Sequence, residues 1–138
     1  MPETSFNQGI IDEFRANGGV VSRPYPDSTL VLVTMHGAKS GREMTLPLEF
    51  LEIGGVPHIY ATRGGSPGHP AWYFNLLANP DVTVEQGTGT YRARARELRG
   101  SERDAAWRAL VETKPRFAEY EQKTDRKFPV FALDRMLP

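Results

Sequence analysis

Apolar side chains recur at Phe6, Ile10 and Phe14, an i, i+4, i+8 stripe that predicts one amphipathic helix near the start of the chain. Ser5 with Gln8 has the form of a capping box, Asp12, Glu13 and Arg15 fall off the stripe, and Gly18-Gly19 supplies a stop. The polar face is too acidic for an anionic lipid surface, so this helix is expected to pack on the core. The pattern then changes period. Thr29-Leu-Val-Leu-Val-Thr-Met35 is short and β-rich, as a buried strand should be, and Met44–Ile53 reads as a second strand. Glu49 and Glu52 fall on opposite faces of that strand. Pro47 donates to no ladder, so an edge or a bulge is expected beside it. Gly54-Gly55 predicts a hairpin into His58–Thr62, and a short helix is expected from Pro70 to Leu77, closed by Asn79-Pro80.

Asp81–Gln86, the turn Gly87-Thr-Gly89 and Thr90–Leu98 predict a second hairpin. In its return strand Arg92, Arg94 and Arg96 share one face. With Glu85 and other carboxylates at hand, the expectation is a solvated, paired strand face rather than a nucleic-acid surface. Ser101 is the expected cap of a further helix through Ala105, Trp107 and Leu110-Val111, with Asp104 in its first turn and Pro115 as its break. A helical piece near Phe117–Thr124 and a strand from Pro129 to Leu133 follow. Four or five antiparallel strands joined by hairpins, with helices inserted, predict a small closed or half-closed barrel rather than a doubly wound sheet.

Composition narrows the chemistry. The 138 residues fit one domain and include no cysteine, which excludes disulfides, thiol catalysis and thiolate metal sites and suits a reducing cytoplasm. The formal net charge is zero, against a general nucleic-acid binder. The N-terminal segment has neither a basic nor an apolar signal region, and no apolar run reaches the ~20 residues of a membrane span, so a cytoplasmic protein without an integral membrane segment is expected. Lys39-Ser40 lacks the glycines of a P-loop, since Ala38 and Val33 stand in their places. His36, His58 and His69 have no metal-ligand spacing, no Gly-x-Ser-x-Gly elbow is present, and His69 is expected to cap or pack on the short helix. What remains is Gly37-Ala-Lys-Ser-Gly-Arg42, a cationic glycine turn, and Thr62-Arg-Gly-Gly65, a second one, followed by His69-Pro-Ala-Trp-Tyr73. Backbone amides with Lys39, Arg42 and Arg63 suit a phosphorylated anion, and Trp72 with Tyr73 offers a wall for a flat heterocycle.

The chain resembles the deazaflavin (coenzyme F-420)-dependent nitroreductase and quinone reductase family. The resemblance rests on Phe6–Gly19, on Gly37-Ala-Lys-Ser-Gly41 ahead of Pro47-Leu48, and on Gly64-Gly65, His69-Pro-Ala-Trp-Tyr73, Asn75-Leu76 and Ala78-Asn-Pro80. It continues at Tyr120 and at Thr124-Asp-Arg126 before Pro129-Val130. It implies an α+β split β-barrel of the pyridoxamine-phosphate-oxidase-like, FMN-binding type. This would be one domain over residues 1–138, with an N-terminal helix and lead-in over 1–27 and the barrel over 28–138. It implies coenzyme F-420, an 8-hydroxy-5-deazaflavin with a phospholactyl-oligoglutamate tail, and hydride transfer to an electron-poor small molecule such as a quinone, an activated alkene or a nitroaromatic.

Carried over position by position, Lys39, Ser40 and Gly41 hold the phosphate and tail, with Arg42 beside them. Pro47 and Leu48 flank the deazaflavin, Thr62, Arg63 and Gly64 contact its ring region, and Trp72 and Asn75 support that pocket. Phe117 and Tyr120 fall on the substrate side, and Thr62 and Tyr120 are the candidates for orienting the acceptor. No metal is implied, and a monomer or homodimer is expected. Ala38 and Met44 stand where the family commonly has arginine, Arg63 where it frequently has lysine, and Lys114 at another aromatic substrate-side position. No counterpart is expected here of the extended N-terminal segment by which some members approach membranes. Two other readings of the same fold are an FMN- or haem-binding barrel and a non-catalytic deazaflavin carrier.

Overall fold

The structure, a computed structural model, describes residues 2–22 and 29–136. The lead-in over 23–28 lies outside the described residues, as does the side chain of Ser5. Six strands form one closed antiparallel barrel in the order β1-β2-β3-β6-β5-β4. They are β1 (Leu30–His36), β2 (Glu43–Ile53), β3 (Val56–Tyr60), β4 (Asp81–Gln86), β5 (Gly89–Glu97) and β6 (Val130–Arg135). The terminal strand expected from Pro129 to Leu133 is present as β6; its place in the sheet, between β3 and β5 and paired with both, is what the sequence pattern does not give. Such a long-range closure carries no hairpin signal. Gly54 and Gly55 take φ of 60° and 80° in the β2–β3 turn, the left-handed pair that two-residue hairpins require.

Four helices decorate the barrel: α1 (Pro2–Ala16), α2 (Ala71–Ala78), α3 (Gly100–Thr113) and α4 (Ala118–Glu121). α1 begins before Ser5, so that residue is inside the helix and not its cap. Its buried positions are Ile10, Ile11 and Phe14, packed on Leu30 and Leu32, whereas Phe6 is 50% exposed. Among the described side chains the buried apolar ones of α1 start at Ile10, and Ile11 takes the place that the stripe assigns to Phe6. Arg15 fixes that end by a bidentate pair with Glu85 at 3.0 and 2.8 Å, so Glu85 serves α1 and not the β5 arginines. Those arginines are exposed and paired elsewhere: Arg94 with Asp81, Arg96 with Asp134 and Glu102, and Arg92 with the Thr83 hydroxyl. α3 starts at Gly100 without a side-chain cap, which corrects the assignment of Ser101 to that role.

The barrel interior is filled by Val31, Val33, Met35, Ile59, Val82, Val84, Phe131 and Leu133, with Leu76 of α2 packed among them. A second apolar layer forms where α3 covers the outer face of β3 and β6, through Trp107, Leu110, Tyr60, Phe128 and Val130. The Tyr60 hydroxyl donates to the Ala106 carbonyl at 3.0 Å.

Strand β2 sets up the site. β1 pairs with Glu43–Glu49, but β3 pairs only with Phe50–Ile53, so the first half of β2 is open on one side. Phe50 N–H donates to Thr29 O at 3.0 Å. By the alternation of an antiparallel ladder, Pro47 then turns its backbone away from β1 and toward the open side. The proline sits where its missing N–H breaks no bond, and the edge expected from the sequence is there.

Candidate functional site

The open side of β2 faces a cleft of about 220 Å3 lined by Pro47, Leu48 and Glu49 of β2, Tyr60 of β3, Thr62, Arg63 and Gly64, Trp72 of α2, and Arg116, Phe117 and Tyr120. Eight of the sequence candidates thus meet in one space: Pro47, Leu48, Thr62, Arg63, Gly64, Trp72, Phe117 and Tyr120. They come from β2, the turn after β3, α2 and the segment after α3. Phe117 and Tyr120 meet edge to face at 5.3 Å, and Phe117 is buried. Trp72 leans on Phe131 of the barrel interior at 6.2 Å, which fixes the wall opposite β2.

The Thr62–Gly65 turn is built from unusual backbone. Arg63 has φ of 49°, the sole non-glycine residue with positive φ among the described residues, and Gly64 and Gly65 follow at 62° and 85°. A left-handed arginine costs on the order of 1–2 kcal/mol, and such strain persists where the surroundings hold it. At Gly65 a Cβ would stand 2.9 Å from the Tyr120 carbonyl oxygen, so only glycine lets the turn press against α4. Arg63 itself is exposed and has no carboxylate partner among the described residues.

The other candidates, Lys39, Ser40, Gly41 and Arg42, do not line the cleft; they form the exposed β1–β2 turn. One residue of α2 and the residue just after the helix hold this turn. Asn75, one helical turn beyond Trp72, accepts a hydrogen bond from Ala38 N–H at 2.9 Å through Oδ1. Asn79, just past α2, donates from Nδ2 to the carbonyls of His36 and Gly37 at 3.4 and 3.3 Å. Within the turn, Gly41 N–H donates to Gly37 O and Arg42 N–H to Ser40 Oγ. The amides of Lys39 and Ser40 donate to no described residue, and neither Lys39 nor Arg42 has a carboxylate partner among them. Two free consecutive amides with two unpaired cations are a donor set for a phosphate or carboxylate. Asn75, expected to support the ring pocket with Trp72, bonds this turn and is not among the residues lining the cleft.

The sequence profile of F-420H(2)-dependent quinone reductases matches residues 9–135. The chain belongs to that family. An F-420H(2)-dependent quinone reductase of Mycobacterium tuberculosis is 32% identical over 127 residues, covering 88% of this chain and 85% of the relative. Among solved structures, an F-420-H(2) dependent reductase is 46% identical, with a TM-score of 0.70 over 76% of this chain and 93% of its own. A second, described as a domain-swapped dimer, is 38% identical, with a TM-score of 0.73 over 97% and 100%. A putative pyridoxamine 5'-phosphate oxidase from Listeria innocua, 11% identical with a TM-score of 0.54 over 99% and 95%, shares the split-barrel fold. F-420-dependent oxidoreduction is the activity of the quinone reductase family, and coenzyme F-420 its cofactor.

Two features of this quinone reductase family member escaped sequence reasoning. The first is Arg126, which donates to the carbonyls of Ala61 (3.0 Å), Thr62 (2.8 Å) and Ser66 (3.0 and 3.1 Å) and to His69 Nδ1 (2.7 Å). His69 in turn stacks on Tyr73 at 4.5 Å, on the first turn of α2 as expected. Burial first, then the Arg126 charge, hold the His69 pKa below its usual value. The second is Glu49, which receives Lys114 Nζ at 2.9 Å and the Arg116 guanidinium. Lys114, only 7% exposed, also donates to the Thr29 hydroxyl at 2.8 Å and does not line the cleft. The single available signal was the reading of Glu49 and Glu52 on opposite faces of β2, which left one of them needing a partner. Among the described residues no group of three His, Cys, Asp or Glu is placed to hold a metal, and no helix is long and apolar enough to cross a membrane.

Proposed function

We propose that the protein reduces a quinone or a related electron-poor acceptor in the β2 cleft, with the coenzyme's tail on the Gly37–Arg42 turn and its ring system against Trp72. The observation that carries this reading is the pairing of the two halves by α2. Trp72 faces the cleft, and three residues later Asn75 holds the turn whose Lys39 and Ser40 amides are free.

Lys39 and Arg42 offset the charge of an anionic tail, and the free amides add charge-assisted hydrogen bonds. Ser40 Oγ already accepts from Arg42 N–H, so its part is to shape the turn while its hydroxyl hydrogen stays available. Pro47 and Leu48 on one side and Trp72 on the other leave a slot for a planar ring system. The chemistry supplied by the bound group is a hydride from the deazaflavin C5. The protein holds the acceptor in reach and excludes water, with Phe117 as an apolar wall and the Thr62 and Tyr120 hydroxyls as candidates to orient it or return a proton. Arg63, on a strained turn at the cleft, adds positive charge where a reduced quinone accumulates negative charge. A single domain acting in the cytoplasm as a monomer or homodimer, without nucleic acid, fits this role.

The test is an anaerobic titration with coenzyme F-420, followed by turnover of the reduced coenzyme with quinones, activated alkenes and nitroaromatics. Saturable binding with quinone turnover supports the reading. Absence of saturable binding rejects it, and binding without oxidation by any acceptor makes the protein a carrier.

A further inference from the structure

We infer that Arg126 is a positioning residue for the cofactor site: from below, its guanidinium holds the Thr62–Gly65 turn in the strained shape that presents Arg63 and Gly64 to the cleft. The inference rests on the proposed site, but its central observation is independent of any ligand. Arg126 spends all three of its nitrogens on this one turn. It reaches carbonyls on both flanks, Ala61 and Thr62 before the left-handed residues and Ser66 after them. The remaining bonds within the turn are Gly65 N–H to Thr62 O and Ser66 N–H to Arg63 O, at 3.0 and 3.1 Å. Two backbone bonds do not hold three consecutive left-handed residues, one of them arginine, against solvent. A planar guanidinium spanning both flanks does. Among the described residues no carboxylate lies within salt-bridge distance of Arg126, and the acceptors that fix it are the carbonyls of the turn and its flanks and His69.

His69 makes the arrangement conditional. An arginine N–H can only donate, so the 2.7 Å contact requires Nδ1 as acceptor and places the imidazole proton on Nε2. A second proton would have to go on Nδ1 and would set a cation against Arg126. The groups around His69 are Arg126 from the segment after α4, Tyr73 on α2, Glu97 of β5, and Arg99, Arg103 and Lys127 lining the same cavity of about 310 Å3. Glu97 alone among these favours the charged ring, and it is engaged by the Tyr73 hydroxyl at 3.2 Å and Arg99 at 3.2 Å. The neutral ring is therefore the form that fits.

The experiment uses the ligand-free protein first. Backbone amide NMR follows Gly64 and Gly65 in wild type, Arg126→Lys and His69→Gln, and coenzyme F-420 titrations follow. In Arg126→Lys, which keeps the charge but not the fork, the Gly64 and Gly65 amides shift or broaden while resonances of β4 and β5 stay in place. Coenzyme affinity falls by about tenfold or more. In wild type the same amides move as pH falls below the usual histidine range, and in His69→Gln they do not. A folded Arg126→Lys variant with unchanged glycine amides and an affinity within twofold of wild type overturns the inference. If Arg126→Lys does not fold, His69→Gln decides: a wild-type-like pH response of the glycine amides in it refutes the coupling. Should wild type itself bind no coenzyme, the proposed function fails while the ligand-free spectra still judge the role of Arg126.

Discussion

Asn75 is the residue by which the two halves of the site are joined, and its truncation has a calculable outcome. In Asn75→Ala the Ala38 N–H loses its acceptor, while the Nδ2 contacts to the sulfurs of Met35 and Met44, at 4.0 and 3.7 Å, are too long to weigh much. Leaving a polar group without its partner costs about 1–3 kcal/mol. Ala38 is exposed and water reaches it in part, so the low end applies, about 1 kcal/mol. For a chain of this size that is a fall in Tm of roughly 3–6 °C, measured by calorimetry or urea titration. The larger effect is on binding. With Ala38 released, the turn keeps only Asn79 as its tie to α2, and the Lys39 and Ser40 amides no longer share one orientation. Coenzyme affinity should fall by about fivefold to tenfold, close to 1–1.4 kcal/mol. A double-mutant cycle with Lys39→Ala separates this route from others: if Asn75 acts by holding the turn, the two losses are less than additive. Additive losses, or an Asn75→Ala protein with unchanged affinity and a lowered Tm, would refute the reasoning.

Lys39→Ala by itself should weaken coenzyme binding by about 1–3 kcal/mol through loss of a charge-assisted contact, read from the dissociation constant; no change would place the tail elsewhere. Glu49→Ala leaves the Lys114 ammonium buried with the Thr29 hydroxyl as its partner among the described residues, and because Glu49 retains 17% side-chain exposure the cost is set at about 2–3 kcal/mol, below that of a fully buried pair. A loss under about 0.5 kcal/mol in urea denaturation would show that the ammonium reaches water. Arg94 holds the Asp81 carboxyl below its usual pKa, and Arg103 with Lys127 does so for Asp104. A depressed carboxyl contributes stability that is complete above the unfolded pKa and is lost as pH falls through the folded one. Unfolding free energy should therefore decline on acidification below about pH 4, with Asp81→Asn showing a shallower decline; an unchanged slope would assign it to other carboxyls.

The parts of this fold that announce themselves in the sequence are those fixed by neighbours along the chain. β4, the Gly87–Gly89 turn and β5 are legible because alternation and turn chemistry both point to one hairpin, and β4 runs from Asp81 to Gln86 as its pattern states. Pro47 marks the open edge because a missing donor has a meaning wherever the chain goes. Arg126 is the opposite case. Thr124-Asp-Arg126 belongs to the family resemblance, but nothing beside it in the sequence states its partners, and only the return of the chain beneath the Thr62–Gly65 turn gives Arg126 carbonyls to bind. Phe6 and Ile11 differ for a related reason: periodicity defines a stripe but not how far along the barrel the helix extends. The assignment of Asn75 rests on resemblance, and its bond to Ala38 N–H, between residues far apart in the chain, has no sign in the local sequence.

The proline at the open half of β2 has a consequence for the protein in a crowded solution. A bare strand edge invites a strand from another molecule, and chains so recruited can continue into fibrous aggregates. Pro47 withholds one of the donors such an invader would need, and it does so on the side of β2 that lines the cleft. Replacing it with threonine would leave the β1 pairing intact while restoring that donor. The protein would then trade solubility at high concentration for a more regular strand.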